Sequence, residues 1–164
     1  MTLRTLAVLL AAGLLFACAA PAPKPPAKAD PVSLRLELAA LPGTTVSDRE
    51  PLTVSYEGEV LFSRGAVLFY AGGTELLSPL ADLLLAHPEA GWLGEVRAET
   101  GLTEDYDLSL AQQRMELLRR YFVNRGIDAG RLEWSAQPGE GAPLTLSLKG
   151  DQEPSVSSSS APKR

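Results

Sequence analysis

The length, composition and charge of the chain limit what it can be. Its 164 residues, 45% of them hydrophobic, suffice for one domain with a core of its own but not for two. A formal net charge of -5 at neutral pH, without a clustered basic stripe, argues against a nucleic acid as partner. One cysteine and one histidine cannot form an internal disulfide or a metal site of the usual nitrogen and sulfur ligands.

Residues 1–17 are typical of an export signal. Arg4 is the only charged residue before an uninterrupted apolar segment at 6–17, which is too short to span a bilayer because spanning takes about 20 apolar residues. The letters LFAC, which end at Cys18, resemble the lipobox of bacterial lipoproteins, in which the signal is removed and the new N-terminal cysteine is acylated. An ordinary export signal with an incidental cysteine is the alternative. By the same resemblance, Ala19 after the cysteine favours the outer membrane.

Two further segments are predicted to have no packed structure. Residues 18–30 carry four prolines among alanines and lysines, which predicts an extended, semi-rigid spacer after the lipidated cysteine. Residues 150–164 include four consecutive serines and almost no apolar side chains, which predicts a disordered tail. The folded part is therefore expected to be a single domain at residues 31–149.

Alternation of apolar and polar residues predicts two strands at the start of the folded part. Leu34, Leu36 and Leu38 alternate with charged residues. Residues 52–56 alternate in the same way, and the apolar pattern continues through Phe62. Turn-forming residues between the two segments predict a β-hairpin with a long loop.

Helices and further strands follow in alternation. Leucines at helical spacing predict a helix that begins at Ser78-Pro79 and ends at His87, and a capping box predicts a second helix over residues 109–125. Short runs at 92–98, 132–136 and 144–148 predict strands, and such alternation implies crossovers packed on a mixed sheet. The side chains expected in the core are Leu76, Leu80, Leu83, Trp92, Leu117, Leu118, Phe122 and Trp134.

A series of motifs carries a resemblance to a known family. In order they are Phe62-x-x-Gly65, Phe69, Gly73, the strand into Ala98-Glu99, Tyr106-Asp107-x-x-Leu110-x-x-x-Arg114 and Gly139-Glu140-x-x-Pro143. Their order and spacing resemble the C-terminal OmpA-like peptidoglycan-binding domain over residues 60–143. The resemblance implies an α+β domain of β/α/β/α/β-β order, with two helices packed on a mixed sheet, here preceded by the β-hairpin.

The resemblance also implies a binding site. In the family, an Asp at the end of the second core strand takes the ammonium of diaminopimelate in the peptidoglycan stem peptide, and an Arg in the following helix takes the carboxylate. Glu99 stands at the position of the acid and Arg114 at that of the arginine, with the family's separation of 15 positions. Asp107, where the family usually has Asn, completes the candidate site. Ala98 and Ala111 replace a usual Thr and a usual Ser.

Spacing alone leaves the role of Arg114 open. A cation near a helix N-terminus gains nothing from the helix dipole, and its guanidinium can pair with Asp107 or Glu99 inside the protein or with a ligand carboxylate. Glu104, Asp105 and Asp107 are expected to precede the helix, where its dipole suffices to explain them. No nucleophile stands beside His87, so we expect no catalytic site, metal or cofactor.

The resemblance implies a non-enzymatic lipoprotein, anchored by its lipid on the periplasmic face of the outer membrane, that binds peptidoglycan noncovalently and tethers the membrane to the cell wall. An adaptor in an envelope protein complex that has lost peptidoglycan binding is the alternative, and envelope protein partners are compatible with both. A wall hydrolase is a third interpretation, disfavoured because one acid and one arginine do not make an acid and base pair.

Acylation of Cys18 can be tested directly. Wild-type protein should partition into a detergent phase, whereas Cys18→Ser should stay uncleaved or mislocalised because it has no thiol to acylate. Mass spectrometry of the mature N-terminus measures the modification. Cleavage elsewhere, with an unmodified cysteine, would refute the lipobox assignment.

Overall fold

The computed structural model describes residues 30–150. The predicted signal, Cys18, almost all of the spacer and almost all of the tail lie outside the described residues. The elements in chain order are α1 (Pro31–Ala39), β1 (Thr44–Val46), β2 (Thr53–Tyr56), α2 (Gly73–Ala86), β3 (Trp92–Ala98), α3 (Glu104–Asn124), a 3-10 turn (Ala129–Arg131), β4 (Leu132–Pro138) and β5 (Leu144–Leu148). Within residues 30–150, no helix combines the length and the apolar character needed to cross a bilayer.

Five strands form one mixed sheet in the order β1-β2-β5-β3-β4. β3 and β4 run parallel, with Trp92 opposite Leu132 and Ala98 opposite Pro138, while the other neighbours are antiparallel. A parallel pair requires a long crossover, which α3 supplies. The predicted mixed sheet and its last three strands are confirmed, and the fourth strand runs two residues beyond the predicted 132–136.

The strand predicted from Leu34, Leu36 and Leu38 is wrong, because these residues lie in α1. Asp30 caps the helix by accepting a hydrogen bond from the backbone nitrogen of Val32 at 3.2 Å, and Pro31 follows at the helix start. Leu34 and Leu38 are 0% exposed, whereas Leu36 is 69% exposed. Burial at positions i and i+4 is typical of a helix. Residues spaced i, i+2 and i+4 also include this helical pair, so the alternating pattern did not distinguish a strand from a helix.

The predicted hairpin consequently has a different first strand. β1 pairs with β2, with Thr44 opposite Tyr56 and Val46 opposite Val54. β2 ends at Tyr56 and does not continue through Phe62, which instead forms an isolated bridge with Phe69. The segment between β2 and α2 is therefore free to fold over the end of the sheet as a loop.

Both predicted helices begin earlier than their sequence signals indicated. α2 begins at Gly73, so Pro79 lies inside it and not at its first position. Thr103 caps α3, since its hydroxyl accepts a hydrogen bond from the backbone nitrogen of Tyr106 at 3.2 Å. Glu104, Asp105 and Asp107 therefore lie in the first turn and do not precede the helix.

The predicted end of α3 is confirmed. Gly126 has a φ of +94°, and its backbone N–H donates to Val123 while that of Ile127 donates to Phe122. This pair of bonds is a Schellman motif, which satisfies carbonyls at the end of the helix. The buried Ile127 then packs beneath the last turn.

Aromatic packing holds α3 against the sheet. Phe122 stacks on Trp134 of β4 with ring centroids 6.0 Å apart. Gly94 of β3 leaves room for this indole, since a Cβ there would lie 2.5 Å from Cε3 of Trp134. The predicted core is confirmed, with Leu80, Leu83, Trp92, Leu118 and Phe122 buried and Leu76, Leu117 and Trp134 partly buried against them.

Hydrogen bonds from Arg131 fix the end of α2. The guanidinium of Arg131 donates to the carbonyls of Leu84, His87 and Ala90 at 2.8, 2.6 and 3.1 Å. Cations are favourable at helix C-termini, where carbonyls lack partners in the helix. The start of β4 is thereby tied to the end of α2.

The assignment of residues 31–39 to a helix can be tested by comparing two leucines. Leu34→Ala should lower the free energy of unfolding by about 2–4 kcal/mol, because it leaves a cavity in the core. Leu36→Ala should change it by less than about 0.5 kcal/mol, because Leu36 faces solvent. Urea denaturation of the two variants measures both values. Equal losses would indicate a strand that buries both leucines on one face.

Candidate functional site

A cavity of about 250 Å³ opens where β3 ends. Its lining residues are Gly58, Glu59, Phe62, Arg64, Arg97, Ala98, Glu99, Arg114, Glu140, Gly141 and Pro143. They come from the loop after β2, the end of β3, the middle of α3 and the loop before β5. The structure thus brings Glu99 and Arg114 to one cavity, and it does not bring Asp107 there.

Arg114 is the buried charge of this cavity, with only 5% of its surface exposed. Its Nε donates to the carbonyl of Ala66 at 2.8 Å and its Nη2 to that of Ser63 at 3.0 Å. The guanidinium also lies over the ring of Phe62, 4.7 Å from the centroid, a cation–π contact. Burial lowers the pKa of Arg114, but an arginine side chain stays protonated in proteins.

The ion pair that spacing left open for Arg114 is not formed. Within residues 30–150 no carboxylate lies at ion-pair distance from its guanidinium, and both of its side-chain hydrogen bonds go to carbonyls. The two carbonyls use the edge formed by Nε and Nη2. Nη1 donates to no acceptor in the described part of the chain, and together with the second hydrogen of Nη2 it forms an edge that is suited to bidentate binding of a carboxylate.

Glu99 is more exposed and has a partner that the sequence did not predict. Its Oε2 lies 3.4 Å from Nη2 of Arg64, with the side chains 40% and 64% exposed. Arg64 belongs to a tight turn, closed by a 3.0 Å hydrogen bond from the nitrogen of Ala66 to the carbonyl of Ser63. Gly65 in this turn has a φ of +72°, which favours glycine.

The remaining charges of the cavity are Arg97 and two glutamates. Arg97 donates through Nε to Glu95 at 2.6 Å, and its Cδ would lie 2.7 Å from a Cβ on Gly141. Glu59 and Glu140 also line the cavity and make no ion pair within the described residues. Sequence reasoning missed Arg64 and Glu59, although Arg64 lies inside the Phe62-x-x-Gly65 motif.

Asp107 lies deeper, in the first turn of α3, and is 7% exposed. Its Oδ1 accepts hydrogen bonds from the backbone nitrogen of Thr100 at 3.0 Å and from the hydroxyl of Thr100 at 2.5 Å. These contacts fasten the segment that follows β3 to the start of α3. Asp107 therefore positions Glu99 through the adjacent Thr100 and does not line the cavity itself.

No protein-family model matches the sequence, and no curated protein does. Solved structures do match. A MotB-like protein from Desulfovibrio vulgaris aligns with a TM-score of 0.57 at 19% identity over 72% of this chain and 90% of that chain. The OmpA-like domain of FopA1 from Francisella tularensis aligns with a TM-score of 0.51 at 12% identity over 65% and 78% of the two chains. The fold is that of OmpA-like domains.

A third OmpA-like neighbour extends this likeness over almost its whole length. The cell wall anchor of the T6SS from Pseudomonas aeruginosa aligns with a TM-score of 0.54 at 16% identity, over 74% of this chain and 97% of that chain. The resemblance drawn from the motifs is thus confirmed at the level of the fold, with three helices on the mixed sheet where two were expected. At these identities the likeness concerns architecture only.

The structural role of Asp107 can be separated from that of its charge. Asp107→Ala should lower the free energy of unfolding by about 1–3 kcal/mol, because the nitrogen and hydroxyl of Thr100 lose their acceptor. Asp105→Ala is the matched control in the same helical turn, and it should cost only a few tenths of a kcal/mol from the helix dipole. Denaturant titration of both variants makes the comparison. Equal effects would show that Asp107 acts only as a helix-end charge.

Proposed function

We propose that this chain binds peptidoglycan noncovalently through the cavity lined by Glu99 and Arg114. The observation that carries the proposal is the state of Arg114. It is 5% exposed and held by two backbone carbonyls, and its Nη1 has no acceptor in the described part of the chain. A buried cation without a carboxylate partner is costly unless something else compensates it, and a ligand carboxylate does so.

The cavity suits a small zwitterion. Arg114 offers two parallel donors to a carboxylate, and Glu99 offers acceptor oxygens to an ammonium group. A volume of about 250 Å³ lies just below the range of drug-sized pockets, so the cavity admits the end of one amino-acid side chain. The zwitterionic end of diaminopimelate in the stem peptide has this size and charge arrangement.

The comparisons support the proposal through shared architecture. One solved neighbour is described as the cell wall anchor of the T6SS, and it has the fold of this chain with a TM-score of 0.54. None of the lining residues is a serine, cysteine or histidine, so the cavity cannot form a serine–histidine or cysteine–histidine nucleophile and base pair. We therefore propose a binding role without catalysis.

The same proposal includes a membrane anchor. Acylation of Cys18 would fix the N-terminus in the outer membrane, facing the periplasm. A proline-rich spacer of residues 19–30, at about 3.1 Å per residue, would place the domain up to roughly 35 Å from the membrane surface. A domain held in this way and bound to peptidoglycan ties membrane to wall.

Arg114→Lys tests the cavity as the wall-binding site. Lysine keeps the charge and much of the apolar stem but loses the planar edge that binds a carboxylate, so affinity for purified sacculi should fall about tenfold. Alanine is less suitable, because it would also leave two buried carbonyls without donors. Arg120→Lys, on the exposed side of the same helix, is the matched control and should bind as wild type. Co-sedimentation with sacculi measures the affinities.

The outcomes separate the candidate functions. Loss of binding in Arg114→Lys but not in Arg120→Lys places wall recognition at the cavity. Wild-type affinity in both variants would remove the cavity from wall binding. Failure of the wild-type chain to sediment with sacculi would instead favour the adaptor alternative.

A further inference from the structure

We infer that Arg64 is a specificity-determining residue of this cavity, which competes with the ammonium group of a ligand for Glu99. The inference rests on the proposed function, because it concerns how the same cavity selects its ligand. Arg64 lies outside the pair of residues expected to hold the zwitterion, yet it contacts the acid of that pair. Arg64 contacts Oε2 of Glu99, so a ligand ammonium that binds this oxygen takes the place of the guanidinium.

The contact between Arg64 and Glu99 is of the kind that a ligand can replace. It consists of one hydrogen bond at 3.4 Å, with the arginine side chain 64% exposed and the glutamate side chain 40% exposed. Exposed ion pairs of this geometry contribute little stability, because water screens both charges. Release of Arg64 therefore costs little, and its guanidinium can return to solvent.

One turn contacts both charged ends of the cavity. The carbonyls of Ser63 and Ala66 hold Arg114, and the side chain of Arg64, between them, reaches Glu99. The backbone of this turn is fixed by its own hydrogen bond and by Arg114, so only the Arg64 side chain has to move. Ligand entry at Glu99 consequently leaves the carboxylate-binding end of the cavity in place.

The pairing of Arg64 with Glu99 affects how well the cavity distinguishes ligands with an ammonium group from ligands without one. Because Arg64 neutralises Glu99, a ligand that lacks an ammonium group leaves no unpaired acid behind and loses little affinity. A ligand with an ammonium group gains its contact with Glu99 but loses the contact of Arg64. Arg64 thus reduces the difference in affinity between a zwitterionic ligand and a plain carboxylate. Removal of Arg64 should increase that difference.

The test compares two probes that differ only in their ammonium groups, meso-diaminopimelate and pimelate. Calorimetric titration of the full chain should show that Arg64→Gln binds diaminopimelate about two- to fivefold more tightly than wild type, the range expected for an exposed ion pair. Pimelate should bind unchanged or more weakly. Arg49→Gln removes the same charge from an exposed loop outside the cavity and should match wild type with both probes.

The Glu99→Gln variant tests whether Glu99 is the residue for which Arg64 and the ligand ammonium compete. In Glu99→Gln, the further change Arg64→Gln should have no effect on diaminopimelate, because the competing contact is already gone. Weaker binding of both probes by Arg64→Gln would overturn the inference and assign Arg64 to the ligand carboxylate. Wild-type behaviour of Arg64→Gln, while sacculi still bind, would overturn it and leave the proposed function standing. If no variant binds diaminopimelate or sacculi, both fall.

Discussion

Burial of a guanidinium imposes the constraint on which the site depends. Arg114 projects from the middle of α3 into a region where water reaches only 5% of its surface, so its donors need acceptors within the protein. The loop between β2 and α2 supplies them from the carbonyls of Ser63 and Ala66 and adds the face of Phe62. This requirement ties an irregular loop to the longest helix, and the cavity forms at their junction. The half-buried Arg131 is likewise held by carbonyls, since its guanidinium donates to three of them at the end of α2.

The residues that line the cavity carry equal numbers of positive and negative charges. Its lining holds the three arginines 64, 97 and 114 and the three glutamates 59, 99 and 140. Equal numbers of opposite charges produce little long-range field, so selection operates through contacts at short range and not through steering of a distant ligand. A ligand that carries both signs of charge has a potential partner for each of them in such a cavity.

The motifs predicted the fold more fully than the periodicity did. Alternation misassigned residues 34–38, since leucines at i, i+2 and i+4 satisfy a strand and also contain the i and i+4 contacts of a helix. The signals that decide between the two were Asp30 and Pro31, a cap and a first residue. For α3, the capping box predicted a start at Ser109. In the structure the cap is Thr103, whose hydroxyl accepts a hydrogen bond from the nitrogen of Tyr106.

The candidate site was predictable only in part. Glu99 and Arg114 were identified by motif position, and the structure brings both to one cavity. The contact between Arg64 and Glu99 joins residues 35 positions apart, and no local pattern specifies it. The position of Asp107 against Thr100 likewise depends on where α3 begins, which the sequence misplaced by five residues. Tertiary contacts of loops were the part that local sequence rules could not supply.

If the domain ties membrane to wall as proposed, force would enter it through α1, its first element after the spacer. α1 lies outside the sheet. It is attached by Leu34 and Leu38 in the core, by Arg35, which donates to the carbonyl of Ser47 and pairs with Glu50 at 3.3 Å, and by Glu37, whose Oε2 lies 2.9 Å from Nε2 of His87. Under the tension that the proposed anchor and wall contact would transmit, this terminal helix would be loaded ahead of the five-stranded sheet. Extending its nine residues from helical to stretched chain adds about 17 Å of length. In the proposed tether, α1 would thereby supply extra length without contributing any residue to the lining of the cavity.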